Sequence, residues 1–400
     1  MTGLFWLASS ERERQEALEL SKALQQKDSR DELGIGTIRD GLADLLFPGT
    51  STLHTRARYH LFIPWAFLCA AAETGSRPFA ARVRAQETRL IAELKVTSDQ
   101  RGLIGSQAGA NLRRMPSALY WQGLQVWGIR GVPGTPAIVE QLMQRGARRV
   151  ERDNDGEPLD PETASVWHHN LPTPPVDFPS AATFAMTCDE ADFLADRLRT
   201  EPGTRGSALA QLVGLRGGAD AAAMIWEHPL LPALDSETRV IVDQARRASL
   251  LIHGATLLYN VILAAMRESA ELEQEHRARF ELWAADAEQS IRDLVEWDLE
   301  ELWTTLGGRV PFQTRHFVTQ WQRLVAGHAV ESLVDSVEAR ALITARERAM
   351  KGPTARTVNQ KALDQWGGAS AIHALDFRWS TALGLIADIR DGLETGHAQN

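Results

Sequence analysis

The sequence predicts a mainly α, multi-helix protein with little sheet, and three observations carry that prediction. Apolar residues recur at helical spacing along nearly the whole chain. Alternating runs rich in β-branched residues, the mark of half-buried strands, are scarce. The breaks in the helical pattern coincide with proline and glycine, at Pro48-Gly49, between Gly131 and Pro136, at Gly307-Gly308 and at Lys351-Gly352-Pro353.

In order, a helix is expected over residues 11–27, opening after the capping Ser9 and Ser10 and closing at Asp28 and Ser29. Residues 37–47 form a short helix stopped by Pro48. Helices over 53–73 and 78–94 follow, and Pro116 at a first-turn position opens another that runs to Trp127. Residues 152–179 carry Pro158, Pro161, Pro172, Pro174, Pro175 and Pro179 and read as a surface connection. Beyond it the spacing predicts helices over 188–200, 206–215, 219–228 and 238–247. Residues 250–266 are the most apolar run. At 17 residues, interrupted by His253 and Asn260, they suit a buried core helix rather than a membrane span. The helical pattern continues over 268–305, 316–325, 329–336, 338–350 and 381–393.

A chain of 400 residues has the length of two to three domains. The expected division is a helical DNA-binding and catalytic domain over 1–150, the proline-rich connection over 151–180 and a helical domain over 181–400. A net charge of −9 excludes a uniformly basic nucleic-acid coat, but the charge is uneven. Residues 77–130 hold nine Arg/Lys against three acids, residues 340–361 six against one, and residues 268–301 three against twelve. These blocks are either opposed functional faces or separately solvated helix surfaces. Cys69 and Cys188 are the only cysteines, too few for a thiolate zinc site and in keeping with a reducing cytoplasm. The chain starts without a charged-then-apolar leader, so a cytoplasmic protein is expected. There is no Walker loop, HExxH, GxSxG or dinucleotide fingerprint, and neither cofactor nor metal is expected. His168-His169 lacks companions at metal-ligand spacing, while His54, His60 and His253 are single histidines on helical patterns.

The stretch 31–65 is the most informative. Gly34-Ile35-Gly36 precedes a helix, and Arg56 and Arg58 begin another after a Pro48-Gly49 turn. Successive backbone amides at such a turn, with the positive end of the following helix, can hold a phosphate, as in helix-hairpin-helix modules. Arg39, Arg56 and Arg58 would add charge for a DNA backbone. The plainer alternative is that Gly34 and Gly36 only end one helix and start the next. Asp31, Glu32, Asp40 and Asp44 surround the turn. A carboxylate there can activate water or offset positive charge developing on a sugar carbon. Asp40 and Glu32 rank ahead of Asp31, with Asp44 last. The alternatives are helix N-terminal charge for Asp31 and Glu32, and an ion pair with Arg39 or a nearby arginine for Asp40.

Two further groups combine charge with aromatic rings. Arg113 and Arg114 precede Tyr120, Trp121 and Trp127, a pattern that suits stacking on an extruded base or, equally, a buried helical stripe. Arg346, Lys351 and Arg356 lie near Trp366 and Trp379, and Lys351 and Arg356 are candidate phosphate contacts.

Six segments carry a family resemblance: LFWLASS at 4–10, DELGIGTIRD at 31–40, LFPGTSTLHTRARYHLFIPW at 46–65, PSALYWQGLQVWGIR at 116–130, KGPTAR at 351–356 and DFRW at 376–379. They resemble a bacterial family long carried as a domain of unknown function, with members in phage-defence gene clusters. The resemblance spans both ends of the chain. It implies kinship with an anti-phage DNA glycosylase that removes glucosylated hydroxymethylcytosine and leaves abasic sites. One feature departs from helix-hairpin-helix glycosylases, in which the hairpin comes late and an essential Asp follows it. Here the turn is near the N-terminus, and residues 49–58 hold Thr50, Ser51, Thr52 and His54 but no carboxylate, so catalytic assignments do not transfer.

The expected function is a monofunctional DNA glycosylase acting on phage DNA with modified bases. Asp40, Glu32 or Asp31 would be catalytic. Gly34, Gly36, Arg39, Arg56, Arg58, Arg113, Arg114, Lys351 and Arg356 would hold the DNA, and Tyr120 or Trp121 would face the base. No lysine stands near the turn in sequence, which favours hydrolysis over Schiff-base chemistry. The alternative is a non-catalytic DNA-binding or adaptor subunit that docks a defence helicase or nuclease, for which the acidic block is suited. A metal-dependent nuclease using the same carboxylates is a third possibility.

Overall fold

A computed structural model describes residues 31–73, 76–109, 112–148, 166–215 and 222–397. Among them are fifteen α-helices and no strand. The one β-type pairing among the described residues is an isolated antiparallel bridge between Arg130 and Trp167. In chain order the helices are α1 (Gly36–Leu46), α2 (Tyr59–Ala72), α3 (Phe79–Lys95), α4 (Pro116–Val126), α5 (Pro136–Arg148), α6 (Cys188–Thr200) and α7 (Ala208–Gly214). Then come α8 (Ser236–Met266), α9 (Ala270–Gln289), α10 (Ile291–Val295), α11 (Leu299–Thr305), α12 (Phe312–Gly327), α13 (Val337–Lys351), α14 (Gln360–Asp364) and α15 (Trp379–His397). The helix expected over 11–27 lies outside the described residues.

The helices expected over 238–247 and 250–266 are one 31-residue helix, α8. Nothing between Arg247 and Leu250 breaks it, because Ala248 and Ser249 are tolerated in helix interiors. By contrast, the pattern over 268–305 divides into three helices, and the pattern over 329–336 is a 3₁₀ turn at Val330–Val334. Ile225–Glu227 is likewise a 3₁₀ turn within the span expected as helix over 219–228. Helix α5 opens on Pro136, the last residue of the break expected over 131–136, a position that suits the first turn of a helix.

The chain forms two compact units, each assembled from two stretches. The first takes the chain up to Leu42 and Asp243–Leu375. Its spine is the apolar part of α8, with Leu251, Ala255, Leu258, Val261 and Leu263 fully buried. Helix α8 is the one described helix long and apolar enough to cross a membrane, and 78% of its apolar window is buried against protein. Two indoles anchor on its backbone: Trp283 of α9 donates to Leu250 O and Trp321 of α12 to Leu251 O, each at 2.8 Å. Trp297 donates to Gln244 Oε1 at 2.8 Å.

The polar residues that interrupt α8 hold an irregular stretch of chain. Ser249 bonds Leu375 O, His253 bonds Ile372 O, and Asn260 exchanges two 2.7 Å bonds with Ser370. Arg267 donates to Trp366 O, and His276 of α9 bonds Gly368 O. Residues 366–375 form no regular structure, so these side chains satisfy backbone groups that burial would otherwise leave unpaired.

The second unit takes Ala43–Val242 and the chain from Asp376 onward. Helix α2 is apolar on every face and buried along most of its length, as a core helix must be. It packs on α3 and α4, while α15 packs on α6 and α7. Helix α6 opens with a reciprocal capping box between Thr187 and Glu190.

Gly254 on α8 is the position where the trytophan-lined core is tightest: a Cβ there would overlap the Trp283 ring. In an uncrowded helix Gly→Ala stabilises by about 1 kcal/mol. Here Gly254→Ala is expected to destabilise by about 1–3 kcal/mol through overpacking. Urea unfolding of the variant, followed by tryptophan fluorescence, checks the sign.

Candidate functional site

The turn before α1 is shaped by Asp31. Its Oδ1 accepts the Ile35 amide at 2.9 Å and its Oδ2 the Gly36 amide at 2.5 Å. These are donors that a helix start leaves unsatisfied. The sequence suggested an external phosphate at this position; the chain's own carboxylate occupies it. Gly36 is required because a Cβ would lie 2.7 Å from Asp31 Oδ2. Gly34 has φ +64°, and a Cβ there would lie 2.5 Å from Arg346 Nη2.

Arg346, on α13, explains that crowding. It donates through Nε to Leu33 O at 2.8 Å and through Nη2 to Gly34 O at 3.1 Å and to Thr314 Oγ1 at 2.8 Å. Its guanidinium also covers the Phe317 ring. Gly34 and Gly36 thus serve the internal packing of the turn.

Glu32 is buried to 6% exposure, and two cations meet it. Lys351 Nζ contacts its Oε2, and Arg356 Nη1 lies 2.6 Å from its Oε1. The carboxylate of the first sequence motif and the basic residues of the last are therefore one cluster. Lys351 and Arg356 keep 16% and 21% side-chain exposure. Burial, reinforced by the charge of Arg356, pushes the Lys351 ammonium down to about 8, and Asp31 opposes the shift.

Glu347 places this basic segment. Fully buried, it accepts the Tyr259 hydroxyl at 2.6 Å and the amides of Arg356 and Thr357 at 2.8 and 3.0 Å. Burial, with Glu347 as hydrogen-bond partner, raises the Tyr259 phenol above its ordinary value. Arg356 Nη1 also reaches the Tyr259 hydroxyl and Ser370 Oγ at 3.3 Å each. Tyr259, Thr314 and Glu347 are members of the cluster that the sequence motifs do not reveal. The available signal was a tyrosine hydroxyl in the most apolar run, a group that needs a partner when buried.

The other candidates make contacts of their own. Asp40 pairs with its neighbour Arg39 at 3.0 Å, with side chains 49% and 42% exposed. Asp44 pairs with Arg378 at 2.6 Å. In the second unit, Arg56 binds Asp388 at 3.0 Å and Asp99 at 2.7 Å, and it covers Phe184. Buried Arg58 donates to Glu190 and to Thr183 O, both at 2.7 Å. Both arginines are thus committed to internal acids. Tyr120 is fully buried; its hydroxyl accepts the Thr55 amide at 2.8 Å and donates to Arg56 O at 3.0 Å. Trp121 donates to Gly134 O at 2.8 Å and lies under the Arg130 guanidinium. Tyr120 is thus tied into the core, while Trp121 is half-buried with its indole N–H already bonded. Arg113 and Arg114 are exposed. Among the described residues no group of three His, Cys, Asp or Glu side chains is arranged to hold a metal ion.

The fold and this cluster define a mainly helical protein whose glycine turn is built around internal ion pairs. The chain belongs to DUF6361, a family of unknown function whose model matches residues 1–392. No curated protein and no solved structure matches it.

Two buried histidines in the second unit carry a pH dependence. His54 stacks on Tyr120 and His60 on Trp127, each with centroids 3.9 Å apart. His54 Nε2 bonds Leu119 O and His60 Nδ1 bonds Ala57 O, which leaves His54 Nδ1 and His60 Nε2 buried without a partner. Burial lowers His54 from 6.5 to about 4, and it lowers His60 well below its ordinary value. The unfolded chain takes up protons below pH 6.5 that the folded chain refuses. Stability is therefore full above pH 6.5 and falls as the pH drops toward 4. His54 alone is expected to account for about 3 kcal/mol of that loss at the acid end. Unfolding transitions measured between neutral and acid pH check this, and a double His54→Phe, His60→Phe variant should flatten the slope.

Proposed function

We propose that the protein is a cytoplasmic DNA glycosylase of bacterial anti-phage defence. It hydrolyses the N-glycosidic bond of a modified cytosine, of the glucosylated hydroxymethyl class, and leaves an abasic site. The observation that carries this reading is the meeting of Glu32 with Lys351 and Arg356, within electrostatic reach of Asp31. Water attacks the sugar C1′ as the base departs. Glu32 takes the water proton, and Asp31, held by two amides, supplies fixed negative charge beside the cationic sugar. Lys351 and Arg356 supply positive charge beside the sugar, with Arg356 on the phosphate side, and on the second unit the exposed Arg113 and Arg114 are separate candidates for backbone contact. Asp40 is a weaker candidate because its half-exposed carboxylate answers to Arg39.

A second reading, the adaptor, is favoured by a cavity of about 400 Å³ on the acidic block, lined by Glu281, Ala284, Ala285, Glu288, Gln289 and Glu331. It predicts docking of a defence helicase or nuclease and no base release.

Two measurements separate the readings. Replacing Arg113 and Arg114 with Ala should lower the slope of log affinity against log salt by about 0.9 per lost duplex phosphate contact. An unchanged slope removes those residues from the DNA track. Single-turnover base release from modified DNA should fall about 10²–10⁴-fold in Glu32→Gln, with folding checked by circular dichroism. Asp40→Asn should stay within a few-fold of wild type. No release by the wild type, with or without EDTA, would favour the adaptor, whereas EDTA-sensitive strand cutting would favour a nuclease.

A further inference from the structure

We propose that Lys351 is an amine nucleophile that captures the abasic-site aldehyde as an imine, with Glu32 carrying the proton; this rests on the glycosylase reading above. In sequence Lys351 is 319 residues from Glu32, yet in the fold its Nζ contacts Glu32 Oε2. The expectation of hydrolysis alone assumed that the turn had no lysine beside it, and the fold supplies one.

Three features suit this amine to the role. Its side chain is not sealed in the core but keeps 16% exposure. Burial beside the Arg356 guanidinium weakens its hold on the proton, a standard route to a nucleophilic lysine. A carboxylate in direct contact can accept that proton. Arg356, at 2.6 Å from the same carboxylate and partly exposed, is a second cation beside the amine, of the kind that binds a phosphate.

Base removal leaves a deoxyribose whose ring opens to a C1′ aldehyde. Glu32 takes one proton from the Lys351 ammonium, and the freed lone pair forms the Nζ–C1′ bond as the carbonyl π pair moves to oxygen. A second proton passes from nitrogen to that oxygen, giving a carbinolamine. Glu32 returns its proton to the hydroxyl, the C1′–O bond breaks, and water leaves. The product is a protonated imine with Glu32 again a carboxylate, so no oxidant, reductant or metal is consumed.

The test uses the full chain and a duplex in which an abasic site has been made beforehand, so capture does not depend on base removal by this protein. Sodium borohydride added during incubation delivers hydride to C1′ and fixes the imine as a secondary amine. The expected result is a covalent protein–DNA band on a denaturing gel, with the modified peptide mapping to Lys351. Lys351→Arg keeps a cation beside Glu32 and should lose the band. If that variant is unfolded by circular dichroism, peptide mapping on the wild type decides alone. The absence of a band, or an adduct mapped only to other amines, overturns the proposal. Base release from intact modified DNA is scored separately: release without an adduct leaves the glycosylase reading standing and removes the amine chemistry. An adduct at Lys351 without release does the reverse.

Discussion

Glu32 is a carboxylate almost withdrawn from water, and a buried acid needs cations and hydrogen bonds. Much of the first unit is arranged to supply them. Lys351 and Arg356 end and follow α13, and their positions depend on Glu347, one helical turn before Lys351. Glu347 in turn needs the Tyr259 hydroxyl, and Tyr259 is fixed by the apolar packing of α8. A line of dependence runs from the long helix α8, through one buried tyrosine and two buried carboxylates, to the turn that starts α1. Removing one partner of such a chain costs more than removing a surface pair, because the remaining charge stays buried and unpaired.

The two units treat internal polarity differently. In the first, charges answer charges, and polar side chains on α8 satisfy the backbone of 366–375. In the second, two imidazoles stack in an aromatic core with one ring nitrogen each unsatisfied. That arrangement is tolerable only while both rings are neutral, since a second N–H would have no acceptor. The arginines around them are instead closed off by Asp99, Asp388 and Glu190.

Helix class and many boundaries were legible in the sequence because they depend on local spacing and on Pro and Gly, as at Pro116 and Pro48. The joining of 238–247 to 250–266 was not, since a short polar interval without a breaker has no boundary signal. The assembly of each unit from two distant stretches has no linear signature either. Glycine at 34 and 36 marked an unusual backbone, but residue identity alone did not say whether the amides faced a ligand or Asp31. Arg56 and Arg58 were legible as cations on a helix start, yet their partners lie 332 and 132 residues away, beyond any periodicity argument. For Tyr120 and Trp121 the sequence is evenly balanced between stacking and packing; Tyr120 is fully buried and bonded to Thr55 and Arg56, whereas Trp121 is half-buried and bonded to Gly134.

The internal cap also constrains how an anion can bind at this turn. A phosphate-binding glycine turn offers free amides, and its affinity comes from backbone dipoles. Here Asp31 has taken the Ile35 and Gly36 amides and added a negative charge at the helix start. An anion approaching that end of α1 is therefore repelled by Asp31 unless side chains compensate. The compensation on hand is Lys351 and Arg356, partly exposed and already drawn together by Glu32. Under the proposed function, recognition at this cluster falls to cationic side chains around a buried acid, because the Ile35 and Gly36 amides already bond Asp31. On the proposed reading, a sugar carbon gaining positive charge would meet carboxylates while Arg356 faced the phosphate side, so that the two demands of the chemistry fall on different members of one small group of residues.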